Sequence, residues 1–247
     1  MSRKLLHRLI VLDVVLVLCL VLAACSTSTP SPTSAPTVVP TLVPPTVIPT
    51  TVPPTATPRP IPPTTTGPKQ VLIILSEQSI DMDYMLTNEV GVMIDMLTKA
   101  GFKVVTASDS GQPLGTGNTT LKPDLKIADV KIKDYVGLID PCMARTSATS
   151  IETLMIIKNA VAQGKVIAAQ YGGVDDFYTA GVLKGKQYAY DEDNSVNYPD
   201  AIYKGEGVVQ DGNIITGGIC PYVAKTTGKP GTTAELIQKF IDALKLQ

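Results

Sequence analysis

Apolar residues in this chain fall into short unbroken runs that alternate with stretches of helical spacing. Gln70 to Leu75 (QVLIIL), Phe102 to Ala107 (FKVVTA), Val136 to Ile139 (VGLI) and Val166 to Ala169 (VIAA) are too short for helices and rich in β-branched residues. Runs of that kind predict strands buried on both faces. Between the first two, Met85, Leu86, Val90, Met93 and Leu97 keep helical spacing until Gly101, and the methionines are most simply core filler. Ile151, Leu154, Met155 and Val161 trace a second helix that stops at Gly164. Strand, helix, strand in this order predicts right-handed parallel units.

The remaining segments read less regularly. Ser108 to Tyr135 predicts a long loop over one sheet edge with one short element near Asp129 to Ile132. In KVIAAQYGGV (165–174), Gly172 and Gly173 predict a sharp turn after the strand, and Val174 to Ala180 a short helix. Gln187 to Tyr190 is expected to pair in the sheet, and the acidic, Asn-rich Asp191 to Asp200 to be exposed. Asp211-Gly212 between two apolar runs is the pair a type I′ hairpin requires, with Ile214 to Gly218 as the last strand. Leu236, Phe240, Ile241 and Leu244 form one face of a final helix. Thr149 with Glu152, and Thr232 with Glu235, stand at capping-box spacing. Asp81 and Asp83 read as caps, Asp175 and Asp176 as complements to a helix dipole. The fold class is therefore α/β, a flavodoxin-like doubly wound, mostly parallel sheet with helices on both faces.

The ends of the chain add a different layer. Residues 1–25 hold a basic leader (Arg3, Lys4, Arg8), an apolar run from Leu9 to Leu22 broken only by Asp13, and small residues before Cys25. This reads as a secretory signal. Its LAAC ending resembles the bacterial lipoprotein lipobox, which implies cleavage before Cys25 and lipidation of that residue. Residues 26–68 are almost wholly Thr, Pro, Ser and Val, a disordered linker able to hold a domain up to roughly 130 Å from a membrane. Residues 69–247 then supply about 180 residues, enough for one domain with a substantial core. The expected location is the cell membrane, lipid-anchored and facing outside the cytoplasm.

Charge and composition exclude several chemistries. Formal net charge is −1 and there is no Trp; without a basic cluster, nucleic acid is not an expected partner. The single histidine, His7, lies in the leader. A mature chain without histidine cannot run a Ser–His–Asp or Cys–His relay and lacks the commonest zinc ligand. No cofactor and no metal site are expected.

Taken together, QVLIIL, TKAGFKVVTAS, GKVIAAQYGG, VLKGK, VVQDGNIITG and PGTTAELIQKFIDAL resemble the ThiJ/PfpI family, of the class I glutamine-amidotransferase-like superfamily. The resemblance covers essentially all of residues 69–247. It implies a cysteine at an elbow after VIAA, a neighbouring histidine, an acidic residue on the first helix and a Gly-Gly oxyanion turn after the third strand. Carried over by position, the acid falls on Glu89, the elbow cysteine on Tyr171, the histidine on Gly172, and the Gly-Gly turn on Asp140-Pro141. Only the glutamate is kept. A phenol titrates near pH 10 and is a poor nucleophile, and Pro141 has no N–H to donate to an oxyanion.

Glu89 is expected to carry a raised pKa within a pocket, and Tyr171 to fill the space of the missing nucleophile. Cys142 and Cys220 are open to three readings: a disulfide, a pair of buried free thiols, or a displaced nucleophile or metal ligand. The expected pocket is Glu89, Asp140, Cys142, Gln170, Tyr171 and Cys220. The expected function is a membrane-tethered, non-catalytic module binding a small molecule or a protein, with a homodimer in view. The alternative is a diverged hydrolase or glyoxalase/deglycase-like enzyme using Glu89 with Cys142 or Cys220.

Overall fold

A computed structural model of the chain describes residues 67–117 and 119–247. The leader, Cys25 and all but the last two residues of the linker lie outside the described residues, so the signal and lipidation readings are not visible there. No helix among the described residues is long and apolar enough to cross a membrane.

Seven strands form the main sheet: β1 (Gln70–Ile74), β2 (Lys103–Ser108), β3 (Leu125–Lys126), β4 (Gly137–Asp140), β5 (Val166–Gln170), β8 (Val208–Asp211) and β9 (Ile214–Gly217). Their order is β3-β2-β1-β4-β5-β9-β8, parallel except for the β8–β9 hairpin. This is the doubly wound α/β fold expected from the pattern, and β5 lies near its centre. β6 (Gln187–Tyr188) and β7 (Ile202–Tyr203) form a separate two-stranded sheet, which corrects the expectation that Gln187 to Tyr190 joins the main one.

Alternation along each strand assigns residues to the two faces. On β1, Val71 and Ile73 face one core with α1, which runs through Met82–Met85, a π-helical Leu86–Val90 and Gly91–Lys99, and with α5 (Thr233–Lys245). Leu72 and Ile74 face the other, against α2 (Ile151–Ala162) and α3 (Gly172–Thr179). A short helix, α4 (Pro221–Thr227), follows β9 at the carboxyl ends of the strands. The loop after β2 carries β3 at the sheet edge and two 3-10 turns, Ile127–Asp129 and Ile132–Asp134, close to the single short element expected there.

Several caps differ from the reading of the sequence. α2 is capped by Ser150, whose hydroxyl accepts the N–H of Thr153 at 3.3 Å, while Thr149 turns inward. Thr232 makes no capping bond at α5; its hydroxyl instead donates to the Ile219 carbonyl at 3.0 Å. Asp81 makes none either and pairs with Lys225 at 2.9 Å, and Asp83 accepts the N–H of Thr116 at 2.7 Å. Each side chain had a competing long-range partner that spacing does not reveal.

Candidate functional site

The site lies where β4, β5 and β9 end and three short connections converge. The bend after β5 is made by Tyr171 itself, with φ 43° and ψ −103°, and α3 begins directly at Gly172. The two glycines therefore do not form the turn, contrary to the sequence expectation. Gly173 is needed for a different reason: a Cβ there would stand 2.1 Å from the Asp140 carbonyl oxygen, so the helix could not seat on β4.

The connection after β4 is bent just as hard. Met143 (φ 50°) and Ala144 (φ 45°) are, with Tyr171, the only non-glycine residues of positive φ among those described. All three meet at one place, and such conformations persist only where surrounding contacts impose them. For the turn after β4 the contact is Glu89, on the π-helical turn of α1. Its two carboxyl oxygens accept the N–H of Cys142 at 3.0 Å and of Met143 at 2.7 Å. Glu89 is fully buried, and burial holds its carboxyl well above the ordinary range, with the neighbouring Cys142 adding to the effect. The two N–H groups after Pro141 are thus occupied by Glu89.

Arg145, the sole arginine of residues 69–247, organises the next layer. Its guanidinium donates to Asp140 and the Pro141 carbonyl at 2.8 and 2.7 Å, to Thr149 at 2.9 Å, and to Asp176. Thr149 in turn donates to Asp176 at 2.6 Å. Burial works against the Arg145 charge, but the Asp140 carboxylate more than offsets it and holds the group protonated. Asp176 is therefore a buried ion-pair partner rather than a dipole complement. The sequence reading passed over Arg145; a lone arginine five residues after a strand-ending aspartate was the available signal.

Asp175 departs from the dipole reading too. It accepts the hydroxyls of Tyr190, at 3.1 and 3.2 Å, and of Tyr198, and burial lifts its carboxyl to about 6. Tyr198 is buried, which corrects the expectation that the whole of Asp191 to Asp200 is exposed. Tyr171 stacks on Tyr190, centroids 4.8 Å apart and planes 23° from parallel. Burial, with Asp191 beside it, pushes the Tyr171 phenol up to about 12.

A cleft of about 340 Å³ opens above this assembly, lined among others by Tyr171, Cys142, Arg145, Asp175, Asp191 and Tyr222. Of the six residues expected to form the pocket, Cys142 and Tyr171 line it. Glu89, Asp140 and Cys220 sit behind the cleft wall, all fully buried. Gln170 is spent on structure: its amide donates to the Ile219 carbonyl at 3.0 Å and accepts the Thr233 hydroxyl at 3.0 Å. Gly172 lies at the rim.

The two cysteines are free thiols, both buried, in place of the disulfide that was one of the open readings. The Cys142 sulfur receives the N–H of Ala144 at 3.3 Å, and both thiols lie in one small buried cluster with Met85, Ile219 and Val223. Burial and Cys220 nonetheless push the Cys142 thiol well above the usual thiol range. No group of three or more metal-ligating side chains occurs among the described residues.

The model of the DJ-1/PfpI family matches residues 69–224. The chain belongs to the DJ-1/PfpI family. An uncharacterised protein of Archaeoglobus fulgidus is 30% identical over 128 residues, 49% of this chain and 74% of that one. A ThiJ/PfpI domain protein from Brachyspira murdochii shares the fold at a TM-score of 0.57 and 18% identity, covering 73% of this chain and 99% of its own. Drosophila melanogaster DJ-1beta does so at a TM-score of 0.53 and 22% identity, over 72% and 90%. These structural likenesses speak for the fold.

Proposed function

We propose that this DJ-1/PfpI domain is a non-catalytic module that binds a small polar or carbonyl-bearing molecule in the cleft over Tyr171. It would be held outside the cytoplasm through lipidated Cys25 and the Pro/Thr-rich linker. The observation that carries the reading is the elbow. Its strained backbone is present, but the side chain at its apex is a stacked phenol whose pKa near 12 leaves no nucleophile at neutral pH. The oxyanion donors are bound to Glu89, and the domain has no histidine to take a proton. Retained strain without a nucleophile supports a fixed binding surface.

One observation favours the enzymatic alternative with Cys142: it lines the cleft, and its own backbone N–H is bonded to the buried Glu89. Cys220 does not line the cleft. Against this stands the burial of the thiol, which keeps it protonated and unreactive. The full chain incubated with glyoxal and methylglyoxal separates the two readings. The binding reading expects no consumption above buffer, and a melting temperature raised by members of a panel of small polar carbonyl compounds. Turnover abolished by Cys142→Ser would replace it with the enzymatic one. Palmitate incorporation lost in Cys25→Ala tests the anchor separately.

A further inference from the structure

The side chains around the cleft over Tyr171 offer many acceptors and few donors. Arg145, the cation on its wall, has five N–H groups to give, and all five are engaged. Its Nε–H goes to the Cys142 carbonyl at 3.3 Å, and its two terminal nitrogens go to Thr149, Asp176, Asp140 and the Pro141 carbonyl. Two aspartates face its one charge. Thr226 and Thr227 of α4 turn their hydroxyls back on the helix, donating to the carbonyls of Tyr222 at 3.0 Å and of Val223 at 2.7 Å. Lys229 is engaged as well: its ammonium donates to the main-chain carbonyl of Asp191 at 3.0 Å and pairs with Glu206 at 2.8 Å.

Negative charge and aromatic rings remain. Asp175, on the first turn of α3, and Asp191, in the connection between β6 and β7, both line the cleft. Asp191 Oδ1 is closed to solvent and has no hydrogen-bond partner among the described residues, which is unfavourable for a carboxylate unless a cation stands beside it. Tyr171 and Tyr222 also line the cleft, and Tyr190 covers only one face of the Tyr171 ring. Carboxylates and ring faces both attract an ammonium ion. A carbonyl oxygen or an anion would find, among these side chains, only two phenols and the Cys142 thiol to donate to it. A divalent metal ion fits poorly, since it takes about six oxygen ligands and no group of three ligating side chains occurs among the described residues.

We infer that the cleft binds a small organic ammonium ion, a primary amine in its charged form, anchored at Asp191. Asp175 adds negative charge, and the rings of Tyr171 and Tyr222 flank the ligand. A volume of about 340 Å³ is at the small end for a ligand site and suits a short alkylamine. The inference rests on the reading of this domain as a binding module and gives the ligand its charge. A carbonyl group of the same ligand would be left to the phenols.

The test titrates the full chain with three probes of one size, n-butylammonium, 1-butanol and butyrate, read by saturation-transfer NMR. At about pH 7.5 the amine is charged and Asp175 is ionised. Butylammonium is expected to bind at least about tenfold more tightly than butanol, and butyrate to give no signal. Asp191→Asn keeps the shape and removes the charge; it should weaken the amine by about tenfold to a hundredfold and leave butanol unchanged. Tyr222→Leu should weaken it by about two- to fivefold. Should either variant fail to fold, the order of the three probes on the unaltered protein decides alone. Butanol or butyrate bound as tightly as the amine overturns the inference, as does an unaltered amine affinity in Asp191→Asn or the absence of any amine signal. The binding-module reading fails differently. It falls on glyoxal turnover lost in Cys142→Ser, and it stands, with this inference gone, if a neutral carbonyl compound binds where the amine does not.

Discussion

The Tyr171 ring lies on that of Tyr190, centroids 4.8 Å apart, while its backbone holds a φ of 43°. The stack and the strain oppose one another. An offset aromatic pair contributes about 0.5–1.5 kcal/mol beyond its area, and a residue forced into such a region costs about 1–3 kcal/mol. Tyr171→Phe should leave unfolding free energy within about 0.5 kcal/mol, since the ring stays. Tyr171→Ala loses the stack but keeps a Cβ. Tyr171→Gly loses both stack and strain, and should match or exceed the alanine variant by up to about 2 kcal/mol. Denaturant titration of the three decides. A glycine variant less stable than alanine by about 1 kcal/mol, as at an ordinary position, would mean that the bend is unstrained.

The grip of Glu89 on the turn after β4 makes a second prediction. A carboxamide offers one acceptor where two N–H groups need two, so Glu89→Gln should cost about 1–3 kcal/mol. Glu89→Ala strands both donors and leaves a cavity, for about 3–5 kcal/mol. The sign with pH is fixed by the raised carboxyl. Its stabilising share is complete below the unfolded value near 4.3 and is lost as pH rises through the folded one. The deficit of Glu89→Gln relative to the unaltered protein should therefore shrink as pH rises, measured by urea unfolding across that range.

How the sheet was legible and the site was not follows from the reach of each signal. QVLIIL and VIAA are local patterns, and their strands appear where the runs stand. The hairpin forms too, but its turn is Gly212-Asn213, with Asp211 ending β8 opposite Ile214. Gly212 alone is at positive φ, so it is not the type I′ turn expected on Asp211-Gly212. The apolar face of α5 packs as its spacing foretold. Thr149 was read as a cap because only its neighbours were visible; its partner Asp176 is 27 residues away. Asp175 has the same history, its tyrosine partners lying 15 and 23 residues on. Glu89 and Tyr171 were found through the family pattern, and Cys142 as one of the two cysteines of residues 69–247. That Glu89 would bind the turn's own N–H groups has no trace in residue spacing.

Arg145 bridges two aspartates that are otherwise buried without compensation. Removing one member of a buried ion pair leaves an uncompensated charge and costs about 3–5 kcal/mol. Arg145→Ala is expected in that range by denaturant unfolding. Arg145→Lys should recover less than half of the loss, because one ammonium cannot reach Asp140, Asp176, Thr149 and the Pro141 carbonyl together. Full recovery by lysine would show that charge alone, and not the planar fork, holds the turn.

Asp175 gives the sharpest pH test, because its carboxyl is lifted from 3.8 to about 6 by burial against the tyrosines and lies at the cleft. A raised acid favours folding most where it is protonated in both states. That contribution is whole below about pH 3.9 and fades as pH rises through about 6. A shift of two units corresponds to about 2.7 kcal/mol, and partial solvent exposure reduces the expected effect to about 1–2 kcal/mol. Asp175→Asn carries no proton to lose. Its stability relative to the unaltered protein should improve by that amount between about pH 4 and about pH 7, with the steepest change midway between the unfolded and folded values, at about pH 5. Glu89 is present in both proteins and cancels from the difference. A difference that stays flat over this interval would mean that Asp175 is ionised throughout. Tyr190 and Tyr198 would then be donating to a carboxylate rather than to an acid, and the cleft above Tyr171 would carry a full negative charge at pH 5.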